Sequence, residues 1–251
     1  MTSKIRRSSW LQDIRKSEYA AGIIKVILLT GAVLYLFYES VVPVVFLLPL
    51  CRIWMKEWLE DTAKQKAEEF RSQFRDSIQV MASALKAGYS VENAIREVNR
   101  EIAPMYGKET RIRKEFSIMS GQLDMNRPAE QVLKEFSDRV CQEDAESFVN
   151  VFAAAKKSGG DSIAIIRNSV KIISEKIDTE KEIQTMLAAR KLEFDIMCVI
   201  PFGIILYMKL TFGEFIGILY GNLTGAAVMS LCLLLYIGAY RLGRKIIQIE
   251  V

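Results

Sequence analysis

A helix–turn–helix unit recurs in the middle of this 251-residue chain. In each copy an amphipathic segment stops at a turn, and a residue that can cap a helix opens the next segment. A repeated unit of this kind predicts stacked helical units, because a single unit leaves its apolar face exposed. The copies that can be traced are Phe74–Val98, a weaker one at Glu115–Val140, and Glu146–Val170.

The residues at the turns support this division into copies. Aligning the first copy with the last places Gly88 on Gly159, and glycine favours the positive φ that ends a helix. Each glycine is followed two positions later by a residue that can cap the next helix. The middle copy turns at 126–128, where Pro128 suits the first position of a helix. The predicted structural turn residues are Gly88, Ser90, Pro128, Gly159, Gly160 and Asp161.

Residues 57–193 have apolar side chains at helical spacing, and the alternation typical of strands is absent from the sequence. Phe74, Ile78, Met81 and Leu85 show the pattern in the first copy. Short turns make consecutive helices antiparallel, so this block is predicted to be a bundle of about six helices.

Apolar segments flank this block on both sides. Residues 20–54 are interrupted at Glu39, and one helix of this length would be ~50 Å long against a hydrocarbon core of ~30 Å. A hairpin with spans at Gly22–Tyr38 and Val41–Trp54 fits better, and a cleaved signal peptide is the alternative for the N-terminus. A second hairpin is predicted at Ile196–Phe212 and Phe215–Tyr240.

The distribution of charge predicts the orientation. Residues 1–55 carry seven Lys/Arg against three Asp/Glu, a net +4, whereas residues 56–193 carry 23 against 24, a net −1. Because cytoplasmic flanks of membrane spans are rich in Lys/Arg, both termini and the helical block are predicted to lie inside the cell. A nucleic-acid interface would need basic residues clustered on the block, so no nucleic-acid partner is expected.

These patterns together predict an all-α, multi-pass protein of the cytoplasmic (inner) membrane with four transmembrane helices. Its predicted parts are a basic cytoplasmic N-terminus (1–19), a transmembrane hairpin (20–55), a cytoplasmic helical domain (56–193), a second transmembrane hairpin (194–240) and a cytoplasmic C-terminus (241–251).

Few residues offer chemistry. The chain has no histidine, the commonest general base and metal ligand, and its four cysteines have no paired spacing. Lys157–Asp161 has the composition of a phosphate loop but lacks its spacing, so a tight helix turn is the simpler interpretation. Glu143, Asp144 and Glu146 could ligate a metal, but a solvated helix start is favoured. No catalytic, metal or cofactor site is predicted.

A stripe of small residues marks the predicted last span. Gly217, Gly221 and Gly225 recur every four residues, which lets another helix approach closely. The stripe is interpreted as a helix-packing surface, and both packing within the chain and contact with another subunit stay open.

Short motifs in a fixed order give the chain a family resemblance over about Phe74 to Leu210. The motifs are Phe74–Ile78, Met81–Ser90, Asn93–Ile95, Glu115-Phe116, Lys157–Asp161 and Val199–Pro201. With them the chain resembles the type II secretion F-domain proteins, the inner-membrane platform proteins of type II secretion and type IV pilus machines. One F domain between two hairpins is most similar to the TadB branch of the tight-adherence (Flp) pilus system, with TadC as the alternative. Arg75 departs from the family pattern, which often has proline there.

The resemblance implies a non-enzymatic platform protein that couples a cytoplasmic ATPase to pilin assembly. Expected partners are a hexameric secretion ATPase, a second F-domain platform protein, pilin subunits and membrane lipid, within a homo-oligomer or hetero-oligomer. Tyr89 and Arg127 are candidate residues of the ATPase interface, because aromatic and Arg side chains are frequent at hot spots. A small polytopic transporter or channel subunit is the alternative function, and the missing histidine disfavours a membrane-bound enzyme.

Overall fold

The computed structural model describes residues 16–37, 44–157, 162–213 and 223–247. The described residues form helices and include no strand, which confirms the predicted all-α class. The helices are α1 (Lys16–Phe37), α2 (Val44–Lys86), α3 (Val91–Met105), α4 (Arg111–Asp124), α5 (Ala129–Val140), α6 (Glu143–Lys157), α7 (Ser162–Thr211) and α8 (Leu223–Ile247).

Contacts divide the described residues into two compact units. The bundle unit is Leu59–Thr179. The membrane unit is made of Lys16–Trp58 and of the chain from Glu180 onward. Both boundaries fall inside helices, α2 and α7, and each of these helices continues through its boundary without a break.

The bundle unit buries one face of each of its helices. On α2 the buried side chains Phe70, Phe74 and Ile78 recur every four residues, the spacing of one helix face. The Phe74 ring lies 6.0 Å from the ring of Phe136 on α5 and 6.1 Å from that of Phe148 on α6, measured between centroids. Burying a side chain of this size is worth about 1.5–3 kcal/mol, so these rings hold three helices together.

Consecutive helices of the bundle unit run antiparallel. Arg96, near the start of α3, donates from Nε to a carboxylate oxygen of Asp124 at the end of α4, at 2.9 Å. Arg111, at the start of α4, donates to the carbonyl oxygen of Arg139 near the end of α5, at 2.7 Å. The C-terminal ends of α2, α4 and α6 therefore share one end of this unit, which we call the turn end.

The membrane unit has a small apolar core in which Val33 and Leu36 of α1 pack with Met229 and Leu233 of α8. Many other apolar side chains of these helices face outward, as lipid-facing side chains do. Leu28, Leu210 and Leu235 are examples.

Three helical segments among the described residues are long and apolar enough to cross a membrane. They are Glu18–Leu36, a stretch within Ile163–Thr211, and Ala227–Ile246. The predicted span Val41–Trp54 is not among them, so the count of four spans stays a prediction. Arg52 interrupts the apolar run of that segment, and Lys56 follows two residues after its end.

The predicted last span, Phe215–Tyr240, overlaps the candidate span Ala227–Ile246, and α8 continues beyond Arg241 to Ile247. Residues 214–222 lie outside the described residues.

Candidate functional site

The turn between α2 and α3 is built around Gly88. Its φ is +90°, and its N–H donates to the carbonyl oxygen of Leu85 at 3.1 Å. The next N–H, of Tyr89, donates to the carbonyl oxygen of Ala84 at 3.1 Å, which completes a Schellman ending. Ser90 then opens α3, because its hydroxyl oxygen accepts from the N–H of Asn93 at 3.3 Å.

The turn between α4 and α5 repeats this ending with a different residue. Asn126 takes the left-handed position with φ +59°, and its N–H donates to the carbonyl oxygen of Leu123 at 3.0 Å. The N–H of Arg127 donates to the carbonyl oxygen of Gln122 at 3.2 Å. Asn tolerates this conformation better than most residues do. Pro128 is the N-cap residue of α5. The sequence predicts it at the first position of the helix, which Ala129 occupies.

The third predicted turn, with Gly159, Gly160 and Asp161, lies outside the described residues. So do Gly217 and Gly221 of the glycine stripe. Gly225 lies on α8 and is partly buried.

Both candidate interface residues lie at the turn end, but their side chains are in different states. Tyr89 is 48% exposed. Arg127 forms a bidentate ion pair with Glu135 of α5, and Gln122 donates to the same carboxylate at 2.8 Å. The hydrogen bonds from Arg127 and Gln122 lower the pKa of Glu135. Arg127 is thus engaged within its own hairpin, whereas Tyr89 is available to a partner.

An exposed methionine, which sequence reasoning missed, belongs to the same end. Met125 follows α4 directly and is 78% exposed. Beside it, Asp124 pairs with Arg96 of α3. Tyr89 and Met125 are the large apolar side chains that the two described turns present to solvent, and an interface core favours both residue types.

Toward the opposite end of the bundle unit, Asp144 ties three helices together. Its Oδ2 accepts from Arg71 Nε of α2 at 2.7 Å, and its Oδ1 accepts from Lys176 Nζ of α7 at 3.0 Å. The predicted solvated helix start is wrong for Asp144, which is only 2% exposed. The carboxylate is buried because cations from two other helices converge on it. Three acidic residues at a helix start do not indicate that one of them is buried, so the burial of Asp144 could not be predicted from the sequence.

A second polar cluster links α2 to α3 and α7. Arg75 pairs with its neighbour Asp76 and with Asp178 of α7. Its hydrogen bond to Asp76 is the main cause of the raised pKa of Arg75. The Tyr106 hydroxyl donates to Asp76 Oδ2 at 2.5 Å. Burial, together with this hydrogen bond, raises the pKa of Tyr106. Arg75, the departure from the family pattern, thus makes a contact between helices that proline could not make.

In the membrane unit, the charged side chains of Lys209, Glu57 and Arg244 have partners on other helices. The ammonium group of Lys209 donates to the carbonyl oxygen of Tyr35 at 2.8 Å and lies 3.8 Å from the centroid of that residue's ring. Glu57 of α2 pairs with Arg244 of α8. These contacts fasten α1 to α7 and α2 to α8.

Two glycines outside the predicted stripe make close contacts in the membrane unit. A Cβ placed on Gly22 would lie 2.7 Å from the Trp58 ring, and one on Gly243 would collide with the Phe194 ring. Each glycine therefore makes room for an aromatic side chain of another helix. A glycine that recurs every four residues can be recognised in a sequence, whereas a single glycine that contacts one aromatic ring cannot.

Within the described part of the chain, no three His, Cys, Asp or Glu side chains are grouped so that they could hold a metal ion. Two features of the described residues bear on function. The turn end exposes Tyr89 and Met125 for contacts, and ion pairs join α7 to α2 and α6.

A comparison with protein families identifies the family of this chain. The family model described as type II secretion system (T2SS), protein F, matches residues 77–209, which is more than half of the chain. The matched region begins in α2 and ends in α7, and it agrees with the stretch over which the sequence motifs occur. No curated protein and no solved structure shows a significant match.

Proposed function

The chain belongs to the type II secretion system protein F family, and on this basis we propose that it is the platform protein of a Tad (Flp) pilus machine. Family membership and the apolar helices indicate an inner-membrane platform protein of a secretion or pilus-type machine. The more specific proposal is that the chain couples a cytoplasmic hexameric ATPase to the assembly of pilin subunits and catalyses no reaction itself. The TadB branch is favoured and TadC is the alternative.

The continuity of α7 is the single observation that carries the coupling proposal. This helix is 50 residues long, runs from the bundle unit into an apolar stretch, and contains Pro201 without ending there. Asp144 and Arg75 fix the bundle part of α7 through Lys176 and Asp178. A displacement of the bundle by the ATPase would therefore reach the apolar stretch through one covalent helix.

The turn end is the proposed contact for the ATPase. Tyr89 supports this role because it is exposed and aromatic, whereas the Arg127 guanidinium is already paired. Tyr89→Ala should reduce co-purification of the ATPase and pilus assembly at constant protein level. Met105→Ala, an exposed apolar residue at the other end of α3, is the matched control. Full retention of ATPase co-purification and of pilus assembly in both Tyr89→Ala and Arg127→Ala would remove these two turns from the interface.

The orientation of the chain is part of the proposal. In a variant without the native cysteines, Ser90→Cys should resist an impermeant maleimide in intact cells and react after permeabilisation. Ser40→Cys and Gly213→Cys should react from outside. Labelling of Ser90→Cys in intact cells would place the bundle unit outside the cytoplasm and overturn the proposal.

Deletion of the gene tests the function itself. The mutant should lose surface pili and retain pilin in the membrane, and the intact gene supplied in trans should restore both. A transporter or channel is the alternative, but Lys209 supports it poorly because its ammonium group is held by Tyr35. Normal piliation in the deletion strain, together with a solute-uptake defect, would favour that alternative.

A further inference from the structure

A polar groove runs along the bundle unit between α2 and α7. It encloses about 510 Å³. From α2 it is lined by Gln79, Ala82, Ser83 and Lys86, and from α7 by Arg167, Val170, Lys171, Ser174, Glu175 and Asp178. These positions recur at intervals of three and four residues, so each helix presents one continuous face to the groove.

The two helix faces make a groove of elongated shape. The α7 side extends over 12 residues, from Arg167 to Asp178, which is a rise of about 16 Å at 1.5 Å per residue. The middle of the groove is lined by the short side chains of Ala82, Ser83 and Ser174, flanked by longer ones. Small residues in the middle and long ones at the edges allow the backbone of a third helix to approach closely. A helical segment can occupy the full length of this groove, whereas a compact ion cannot.

The groove is cationic toward the turn end. Lys86 and Arg167 have no carboxylate partner among the described residues, and Lys171 has only Glu175 of its own helix, at 3.8 Å. The two carboxylates at the other end are already engaged, because Asp178 pairs with Arg75 and Glu175 with Lys171. Positive charge is thus left over where α2 ends.

One buried group in the groove also lacks a partner. Ser174 is only 6% exposed, and its hydroxyl has no hydrogen-bond partner among the residues that the structure describes. A buried hydroxyl without a hydrogen bond is unfavourable, so folded proteins contain few such groups. A polar side chain entering the groove would supply the missing bond.

We propose that this groove binds an acidic helical segment of a partner protein. Carboxylates spaced along that segment would pair with Lys86, Arg167 and Lys171, and a polar side chain between them would hydrogen-bond to the Ser174 hydroxyl. The occupant is defined by its charge and helical form, so the inference goes beyond the proposed function and does not depend on the assignment to a pilus machine.

Site-specific photo-crosslinking in the cells that encode the protein tests the proposal. The photoreactive amino acid p-benzoylphenylalanine replaces Ser83 in the full-length chain, and adducts are identified by mass spectrometry. The same amino acid at Lys134, exposed on α5, is the positional control. The expected adduct at Ser83 is a peptide of another protein with clustered Asp and Glu at helical spacing.

Charge reversal then decides whether the cations hold this partner. Lys86→Glu together with Arg167→Glu should reduce the adduct about tenfold, equivalent to about 1.4 kcal/mol. Lys134→Glu, a matched reversal on α5, should leave it unchanged. Introducing Lys at the crosslinked acidic positions of the partner should restore the adduct. Both reversed residues are exposed, and the milder pair Lys86→Gln and Arg167→Gln covers any loss of folding.

Several results would overturn the proposal. They are an adduct yield that charge reversal leaves unchanged, a crosslinked peptide that is neutral or basic, an adduct with a lipid or with a second copy of this chain, and no adduct at Ser83 while the protein is present at its normal level.

Discussion

Arg71 and Asp144, which are 73 residues apart in the sequence, form an ion pair of 2.7 Å between α2 and α6. The carboxylate is buried and also accepts from Lys176 of α7. One side chain thus connects the first, fifth and last helices that pass through the bundle unit. Because α7 continues into an apolar stretch, this contact lies at the origin of the proposed coupling path.

Replacing the buried carboxylate should strongly destabilise the bundle unit. In Asp144→Asn, Arg71 and Lys176 keep their charges but lose the carboxylate between them. Breaking a buried ion pair from one side costs about 3–5 kcal/mol, and the partial exposure of Lys176 favours the lower end. Thermal melting of the detergent-solubilised chain, followed by circular dichroism, measures this. Asp138→Asn on the exposed side of α5 should melt like the wild type, and equal melting of both variants would contradict the role of Asp144.

The left-handed residue at the first turn gives a second prediction. Gly88→Val should cost about 1–2 kcal/mol, because an L-residue is forced to a positive φ. Gly121→Ala is the control, since Gly121 lies within α4 and an added Cβ meets no atom within 4 Å. It should be neutral or stabilising. If both variants melt at the same temperature, the strain assigned to Gly88 is absent.

The turns also show what the sequence could predict and what it could not. Gly88 and Ser90 were identifiable because glycine and serine favour a helix ending and a cap, respectively, for reasons local to the backbone. The equivalence of Asn126 with Gly88 was harder to see, because the two residues share only a tolerance for positive φ. The burial of Asp144 could not be predicted, since it depends on cations of two distant helices.

A third prediction concerns packing in the membrane unit. Gly22→Ala places a methyl group 2.7 Å from the Trp58 ring and should destabilise this unit by about 1–3 kcal/mol, the range for overpacking. Gly31→Ala on the same helix meets no atom within 4 Å and serves as the control. Heating in detergent followed by size-exclusion chromatography compares the fractions that stay monodisperse. A Gly22→Ala variant as heat-resistant as Gly31→Ala would show that α1 does not pack on Trp58.

The ion pair of Arg127 and Glu135 gives a prediction about pH. The pKa of Glu135 is lowered in the folded protein, so the pair contributes stability above the unfolded pKa, about 4.3, and this contribution is lost as the pH falls through the folded value. Glu135→Gln should therefore lower the melting temperature at pH 7. The difference from the wild type should shrink as the pH falls below about 4. A difference that is constant over this range would contradict the pairing.

The membrane spans could be predicted only in part from the sequence. Apolar runs predict the first, third and last spans, and the described residues contain helices long and apolar enough to cross a membrane in these three regions. Arg241, Arg244 and Lys245 lie inside α8, although hydropathy alone ends the predicted span at Tyr240. Arg244 is accommodated there by its ion pair with Glu57.

Direct binding to the ATPase tests the central claim most directly. The purified full-length chain in detergent is mixed with the purified hexameric secretion ATPase of the same cells and passed over a size-exclusion column with light scattering. The account predicts that the two elute together as one complex, and that Tyr89→Ala reduces this complex while Met105→Ala does not. Separate elution of the wild-type chain and the ATPase, with and without nucleotide, would contradict the account.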